Sequence, residues 1–213
     1  MAAPAADRPT PLQLLADQVR GCVRCPLAAG RTQVVFGVGD PHADLMFVGE
    51  GPGREEDLAG EPFVGRSGKL LDQLMADELG IDRTGCYIAN VVKCRPPNNR
   101  DPKPDEIAAC RPYLEQQLQL IRPRVVVTLG NFATKLLLDT TEGIRRLRGH
   151  SYPFDLPAPA ATPDDAGTGG TGTTAHLVPT YHPAAALRSG GTVLAEMRAD
   201  FVRAKRLLGE PRR

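Results

Sequence analysis

The stretch that most constrains the fold of this chain runs from Asp44 to Phe63, where an apolar run leads directly into a glycine-rich loop. The apolar run, Leu45–Val48, has the length of one buried strand. The loop has the sequence Gly49-Glu50-Gly51-Pro52-Gly53, and its glycines and proline favour tight turns whose backbone amides can approach a ligand closely. We therefore predict a buried strand that ends in a binding loop.

Acidic side chains crowd this loop: Glu50, Glu55, Glu56 and Asp57. Because like charges repel, these carboxylates argue against a phosphate cradle and favour acid/base chemistry. The structural alternative is an ordinary acidic turn before a helix, and a glycine-rich turn standing alone would favour it. For Glu55, Asp57 and Glu61 we predict solvated loop side chains.

The chain has 213 residues, enough to bury a full core, and we predict one domain spanning residues 1–213. Lys and Arg number 26 against 25 Asp and Glu, so any binding of nucleic acid must come from a local basic patch. The absence of a long apolar segment predicts a soluble, cytoplasmic protein that binds no membrane. We expect a frayed N-terminus at 1–9 and a flexible insertion at 156–174, where Ala, Pro, Gly, Thr and Asp dominate.

Short apolar runs alternate with helical patterns along the rest of the chain. Buried strands are predicted at 45–48, 86–92, 125–129 and 177–181, with a further strand or edge segment at 31–38. This alternation predicts an α/β fold with three layers, α/β/α, around a central, mainly parallel four-stranded sheet.

Local signals predict several element boundaries. Ser67 is a predicted N-cap for the helix that Gly80 ends. Pro112 interrupts the helical pattern that begins at Asp105, and it should kink or divide that helix. The basic segment 145–149 is predicted to begin a hairpin.

Three polar side chains lie at the ends of predicted strands: Glu50, Asn90 and His182. In an open parallel sheet, the carboxyl ends of the strands border the crevice where ligands bind. A lone histidine is more often a structural hydrogen-bonding residue than a catalyst. Three such residues at one edge instead favour a shared site.

Five cysteines are present, and four of them have spacings that fit a metal centre: Cys22, Cys25, Cys94 and Cys110. Four thiolates suit either tetrahedral zinc or a four-iron cluster, and spacing alone does not choose between them. The structural alternative is a set of ordinary buried cysteines, and for Cys86 we predict that core role.

Three motifs carry a family resemblance. The first combines Gly49-Glu50-Gly51-Pro52-Gly53 with Glu56-Asp57 and Pro62-Phe63-Val64-Gly65. The second is Asn90-Val91-Val92-Lys93-Cys94-Arg95-Pro96-Pro97, and the third is Tyr181-His182-Pro183-Ala184. Together with the four cysteines, these motifs resemble the family 4 uracil-DNA glycosylases, the iron-sulfur members of the uracil-DNA glycosylase superfamily. The resemblance covers about residues 10–208.

The resemblance implies an enzyme that excises uracil from DNA and leaves an abasic site, the opening step of base excision repair. It implies that Phe63 stacks on the flipped base and that Asn90 binds its Watson–Crick edge. His182 would donate to uracil O2, helped by backbone amides around Gly51. The implied uracil-binding residues are Glu50, Gly51, Pro52, Phe63, Asn90 and His182.

Two carboxylates are candidates for orienting the attacking water and stabilising the sugar cation. Glu50 is the first choice and Glu56 the second. Other branches of the superfamily carry an Asp where this chain has Gly51, so the choice between the two carboxylates stays open. With His182 they form the implied catalytic set.

The resemblance also implies a structural 4Fe-4S cluster held by Cys22, Cys25, Cys94 and Cys110. Cys94 follows Asn90 by four residues, so the cluster would brace the strand end that reads the base.

The implied partner is uracil-containing DNA, single- or double-stranded, bound by a monomer. Arg95, Arg100 and Lys103 would contact phosphates. Leu187 or Arg188 would fill the space that the flipped nucleotide leaves. The corresponding location is the cytoplasm of a bacterium or archaeon, at the nucleoid.

Two other interpretations stay open at this point. The first is a zinc- or cluster-stabilised module that binds nucleic acid without catalysis. In such a module Glu50 and His182 would have no catalytic role. The second is an α/β enzyme that acts on free nucleotides.

Overall fold

A computed structural model of the protein describes residues 10–157 and 174–211. The predicted fraying at 1–9 and most of the predicted insertion, 158–173, lie outside these residues. The strands are β1 (Val38–Gly39), β2 (Leu45–Gly49), β3 (Tyr87–Asn90), β4 (Val125–Leu129), β5 (Tyr152–Asp155) and β6 (Thr174–Thr180). The α-helices are α1 (Pro11–Arg20), α2 (Arg54–Ala59), α3 (Arg66–Leu74), α4 (Pro104–Ile121), α5 (Asn131–Leu138), α6 (Ile144–Leu147), α7 (Pro183–Ser189) and α8 (Gly191–Gly209). None of the described helices has both the length and the apolar character that a membrane span requires.

The strands form one sheet in the order β1-β3-β2-β4-β6-β5. The four central strands run parallel, with Gly49 paired to Asn90 and Leu129 paired to Thr180. The predicted parallel sheet of four strands is therefore confirmed. Two short antiparallel strands, β1 and β5, extend it to six at the edges.

Helices cover both faces of the sheet. Met46 and Val48 of β2 pack in a core that includes residues of α1, α4 and α5. Leu45 and Phe47 point to the opposite face, where they pack with residues of α3 and α8. A strand that is apolar on both faces needs cover on both sides. The three-layer α/β/α architecture is confirmed.

Of the kink or division predicted at Pro112, the division does not occur: α4 runs from Pro104 to Ile121 as one helix. Proline removes one backbone donor from the helix. Leu114, Leu118 and Ile121, one and two turns further on, remain buried in the core. The packing of this apolar face holds the helix together despite the missing hydrogen bond.

The helix start predicted at Ser67 was wrong by two residues, since Gly65 is the N-cap of α3. The carboxylate of Glu56 accepts the backbone N–H groups of Val64 and Gly65 at 3.1 and 3.0 Å. A carboxylate from another helix thus fixes the backbone at the N-cap and at the residue before it, where α3 begins.

Two predicted strand segments were also wrong. The strand or edge segment expected at 31–38 shrinks to the two residues of the edge strand β1, which pair with Ile88 and Tyr87. The segment 145–149 belongs mostly to α6, and the hairpin pairs β5 with β6 instead.

The β5–β6 hairpin closes at the end of the strands that lies away from the predicted site. Asp155, the last residue of β5, is paired with Thr174, the first of β6, and the Thr174 hydroxyl donates to the Asp155 carboxylate at 3.0 Å. The other end of β6 leads to His182. The two residues that flank the insertion, Asp155 and Thr174, are therefore fixed to each other at the end of β6 that lies opposite His182.

A buried ion pair fixes the strand end that leads to His182. The Arg148 guanidinium donates twice to Asp200, at 3.0 Å each, and lies 5.6 Å from the centroid of the Tyr181 ring. Asp200 is fully buried and also accepts the Gly149 N–H at 3.1 Å. Burial raises the pKa of Asp200 above its ordinary value, and Arg148 opposes that shift.

We expect Asp200→Ala to lower the free energy of unfolding by about 3–5 kcal/mol, because it leaves the Arg148 guanidinium without its buried partner. Urea unfolding followed by circular dichroism measures this change. Glu115→Ala is the matched control, since it breaks the exposed Arg111–Glu115 pair and should cost less than about 1 kcal/mol. Equal losses for both variants would contradict the structural role of the buried pair.

Candidate active site

A cleft of about 430 Å³ opens where β2, β3 and β6 end. Its lining draws on the loop after β2, the start of α3, the turn after β3 and the start of α7. The cleft has the size of a small-molecule site. It brings together all the predicted uracil-binding residues: Glu50, Gly51, Pro52, Phe63, Asn90 and His182.

Asn90 is 1% exposed, and its side-chain oxygen has no hydrogen-bond partner within the described part of the chain. Leaving a buried carbonyl oxygen unpaired costs free energy, so such an atom commonly marks a place where a ligand binds. A Cβ atom at Gly49 would overlap both this oxygen and the Phe63 ring. Glycine at the end of β2 therefore makes the space in which Asn90 and Phe63 meet.

Phe63 is held in an uncommon backbone conformation, with φ of +56°. Arg83 donates to the carbonyl oxygens of Pro62, at 2.9 Å, and of Phe63 itself. The same guanidinium donates to Asp72 of α3 at 2.8 Å. A Cβ at Gly68 would collide with the Phe63 carbonyl. These contacts fix the ring at the floor of the cleft, 5.6 Å from the His182 ring.

His182 is the N-cap of α7, and its Nδ1 accepts the Ala184 N–H at 3.2 Å. In a neutral ring this assigns the proton to Nε2. Burial lowers the pKa of His182 to about 4, with a further contribution from the positive charge of Arg188, while Glu56 acts in the opposite direction. At neutral pH His182 is therefore an uncharged donor.

Glu50 lies across the same cleft. Burial raises the pKa of Glu50 to about 7, and the negative charge of Asp101 adds to that shift. A carboxyl with a pKa near the working pH is suited to general acid/base chemistry, because both of its protonation states are populated.

Glu56 also lines the cleft, but its oxygens are engaged by the backbone. One oxygen accepts from Gly53 at 3.0 Å, and the other accepts from Val64 and Gly65. These three bonds tie the loop after β2 to the start of α3. The contacts give Glu56 a positioning task, which favours Glu50 of the two candidate carboxylates.

Asp57 departs from its predicted exposure. It is 2% exposed, and its two oxygens accept the Thr32 N–H at 2.9 and 3.1 Å. The prediction of a solvated side chain was wrong because a segment distant in sequence folds over α2 and supplies the donor.

The turn 96–101 forms the outer wall of the cleft. Asn98 and Asn99 have φ of +56° and +53°, a left-handed conformation that asparagine tolerates better than most residues. Arg95 donates to Asn99 at 2.7 Å, and Arg100 donates twice to the buried carboxylate of Glu106, once at 2.9 Å and once at 2.6 Å. Two of the predicted phosphate-binding arginines thus also stabilise this turn.

The remaining predicted DNA-binding residues are exposed. Lys103 is exposed at the N-cap of α4. Leu187 is 43% exposed on α7, so a buried role at the start of this helix is excluded. Arg188 is exposed and lines the cleft.

The four predicted ligand cysteines line one small cavity between α1, α4 and the end of β3. Hydrogen-bond donors approach three of the sulfur atoms. Tyr113 Oη donates to Cys22 at 3.3 Å, Arg31 donates to Cys94 at 3.4 Å, and the Lys93 N–H donates to Cys110 at 3.3 Å. Such donors are typical of the surroundings of metal-bound thiolates.

The sulfur atoms do not converge on one point. Within residues 10–157 and 174–211, no three His, Cys, Asp or Glu side chains stand in position to hold a single metal ion. Burial raises the pKa of Cys110 to about 11, so its free thiol is protonated at neutral pH. Cys86 lies elsewhere in the core, 3.6 Å from the Met75 sulfur, as predicted for a structural cysteine.

Sequence reasoning missed three residues of the site. Asp101 acts electrostatically on Glu50, Arg83 holds Phe63, and Lys93 is 1% exposed behind Asn90. Only Lys93 left a signal in the sequence, because a lysine that directly follows an apolar strand needs a buried partner. The other two depend on contacts between segments far apart in the chain.

Comparison with known proteins places the chain in a family. Residues 36–206 match the family model described as the uracil DNA glycosylase superfamily. The type-4 uracil-DNA glycosylase of Sulfurisphaera tokodaii is 41% identical over 208 residues, which cover 95% of this chain and 87% of that protein. The corresponding proteins of Saccharolobus solfataricus and Thermotoga maritima are 44% and 43% identical, over 83% and 84% of this chain and 77% and 84% of their own lengths. The chain therefore belongs to the uracil-DNA glycosylase superfamily and, within it, to the type-4 uracil-DNA glycosylases.

Proposed function

We propose that this protein hydrolyses the bond between uracil and deoxyribose in DNA, releasing free uracil and leaving an abasic site. The observation that carries the proposal is the buried, unpaired oxygen of Asn90 beside the neutral His182 in one cleft. The type-4 relatives bear the name of this activity over most of the chain. A non-catalytic binding module would have no use for these groups.

Base recognition follows from the amide chemistry of Asn90. Its oxygen accepts the N3–H of uracil, and its nitrogen donates to O4. Cytosine has an unprotonated N3 and an amino group at C4, so it presents the opposite pattern and would leave the buried amide unpaired. Phe63 supplies the apolar face on which the flipped base stacks.

His182 stabilises the leaving group. As the C1′–N1 bond breaks, its electron pair passes to the uracil ring, and negative charge develops on O2. The Nε2–H of a neutral histidine donates a hydrogen bond to that oxygen, and the ring needs no prior change of protonation state. The low pKa of His182 keeps this donor uncharged over the whole neutral range.

Glu50 acts on the water and on the sugar. In its ionised form it orients a water molecule and stabilises the positive charge that develops at C1′. The water oxygen bonds to C1′, and the carboxylate accepts the proton. Burial, and to a smaller extent the negative charge of Asp101, raises the pKa at which Glu50 ionises.

The DNA is held around the cleft. Arg188 and Leu187, exposed on α7, would occupy the space of the flipped nucleotide, and Arg95, Arg100 and Lys103 would bind phosphates. We propose that a monomer binds single- or double-stranded DNA in the cytoplasm through a single domain.

A 4Fe-4S cluster fits the cysteine cavity. The donor set is four thiols that line one cavity, and four thiolates are the ligands that such a cluster takes. Cys22, Cys25, Cys94 and Cys110 would hold the cluster, which when bound would cross-link the end of α1, the end of β3 and α4.

The first test is incubation of the purified protein with an oligonucleotide that carries one uracil, followed by alkali. We expect strand cleavage at uracil and none when thymine or cytosine takes its place. Folded protein that binds the oligonucleotide without cleaving it would favour the binding module. Cleavage of free deoxyuridine would favour the nucleotide enzyme.

We expect His182→Ala and Asn90→Ala to lower the excision rate by about 100- to 1,000-fold, because each removes a contact to the reacting base. Single-turnover assays measure the rate, and fluorescence anisotropy should show DNA binding within about threefold of wild type. Rates near wild type for both variants would misplace the site.

We expect kcat/KM to fall as pH drops through about 7, because Glu50 must be ionised to accept a proton. His182 stays neutral throughout that range. Asp101→Asn removes a negative charge, which lowers the pKa of Glu50 and moves the acid limb to lower pH. Glu50 would be excluded as the titrating group if the acid limb of the pH profile did not move in Asp101→Asn. It would also be excluded if that limb persisted in Glu50→Gln.

The cluster predicts brown protein with about four iron atoms per chain. Cys94→Ala should lose the iron and unfold at a lower urea concentration. Cys86→Ala, which removes a buried thiol outside the cysteine cavity, is the matched control and should keep its iron. Colourless wild-type protein that contains one zinc would replace the cluster with a zinc centre.

A further inference from the structure

Lys93 is almost fully buried although lysine normally lies on the surface. In sequence it lies between Asn90, which lines the cleft, and Cys94, and it is one of the residues that line the cysteine cavity. It does not line the cleft and does not contact the base. Its burial therefore calls for a reason other than chemistry on the substrate.

The Lys93 ammonium group joins three segments of the chain. It donates to the backbone carbonyl of Asn90 at 2.8 Å and to the side-chain oxygen of Gln117 on α4. It also lies 5.9 Å from the centroid of the Phe36 ring. Gln117 is itself buried and donates to the Phe36 carbonyl at 2.9 Å. Both acceptors of the ammonium are neutral groups.

The contact with Asn90 occurs where the strand ladder ends. The N–H groups of Val91 and Val92 donate to Gly49 and Glu50 of the neighbouring strand and loop, at 2.9 and 3.1 Å. The Asn90 carbonyl points to the other side and receives Lys93. Without that donor, the buried carbonyl loses its bond, and the Asn90–Val91 peptide is held only by the bond from the Val91 N–H to Gly49.

Lys93 also contacts the cysteine site. Its backbone N–H donates to the Cys110 sulfur at 3.3 Å, and Cys94 is the next residue. The same residue thus meets the cluster ligands through its backbone and the base-reading strand end through its side chain.

We propose that Lys93 is a positioning residue that couples the cysteine site to Asn90 by holding the Asn90 peptide in the orientation that reads uracil. This inference rests on the proposed function. It predicts that the effect of Lys93 on excision passes through the side chain of Asn90.

A double-mutant cycle tests the proposal with Lys93→Met, Asn90→Ala and the pair. Met has a similar length and no donor. We expect Lys93→Met to slow single-turnover excision about 100-fold, because a small misplacement of a reading group has that effect. DNA affinity should stay within about twofold of wild type, and the double variant should be no slower than Asn90→Ala. Lys135→Met, on the exposed side of α5, should match wild type.

Two outcomes overturn the proposal: a Lys93→Met rate equal to wild type, or losses that multiply in the double variant, as a general loss of structure would produce. Iron content and urea unfolding establish that each variant is folded. If Lys93→Met does not fold, Gln117→Leu removes the second partner of the ammonium and should show a smaller loss that also vanishes in the Asn90→Ala background. Wild-type protein that excises no uracil would instead overturn the proposed function.

Discussion

The parallel pairing of β2 with β3 sets Gly49 opposite Asn90, and the rest of the site depends on that register. The next two backbone N–H groups of the β3 chain donate to the carbonyls of Gly49 and Glu50. A slip of one residue would move every side chain of the strand to the other face of the sheet. The pairing therefore fixes at once which side chain lines the cleft and which enters the core. His182 reaches the same edge because β6 runs parallel to β4.

Burial acts on the two central titratable groups in the same sense, toward the uncharged form. It lowers the pKa of His182 and raises that of Glu50. For histidine the result is a stable neutral donor, whereas for Glu50 it is a balance between two states near neutral pH. The difference arises because burial moves the pKa of His182 away from neutral pH and moves the pKa of Glu50 toward it. One partly dry cleft thus holds an uncharged histidine together with a carboxyl whose pKa lies near neutral pH.

The sequence predicted the parallel sheet, its helical cover and the residues that meet in the cleft, because strand ends in such a sheet share an edge. It did not predict which of the two candidate carboxylates, Glu50 or Glu56, is available for chemistry. The oxygens of Glu56 accept backbone N–H groups on either side of it in the sequence. It placed Asp57 in solvent because the Thr32 donor comes from a distant segment. It predicted a kink or a division at Pro112, and the division does not occur because the helix continues to pack in the core beyond the proline. Local patterns predicted the elements, and contacts between distant segments determined the details.

The connection between β5 and β6 can vary in length without affecting the site. Asp155 and Thr174 are fixed to each other at the sheet edge away from His182. The entropic cost of closing a longer loop between two fixed ends grows only with the logarithm of its length. Insertions of varied length can therefore accumulate between these two residues without moving the site. A fluorophore or affinity tag placed there would leave the cleft clear, which makes this hairpin a suitable attachment point for single-molecule work.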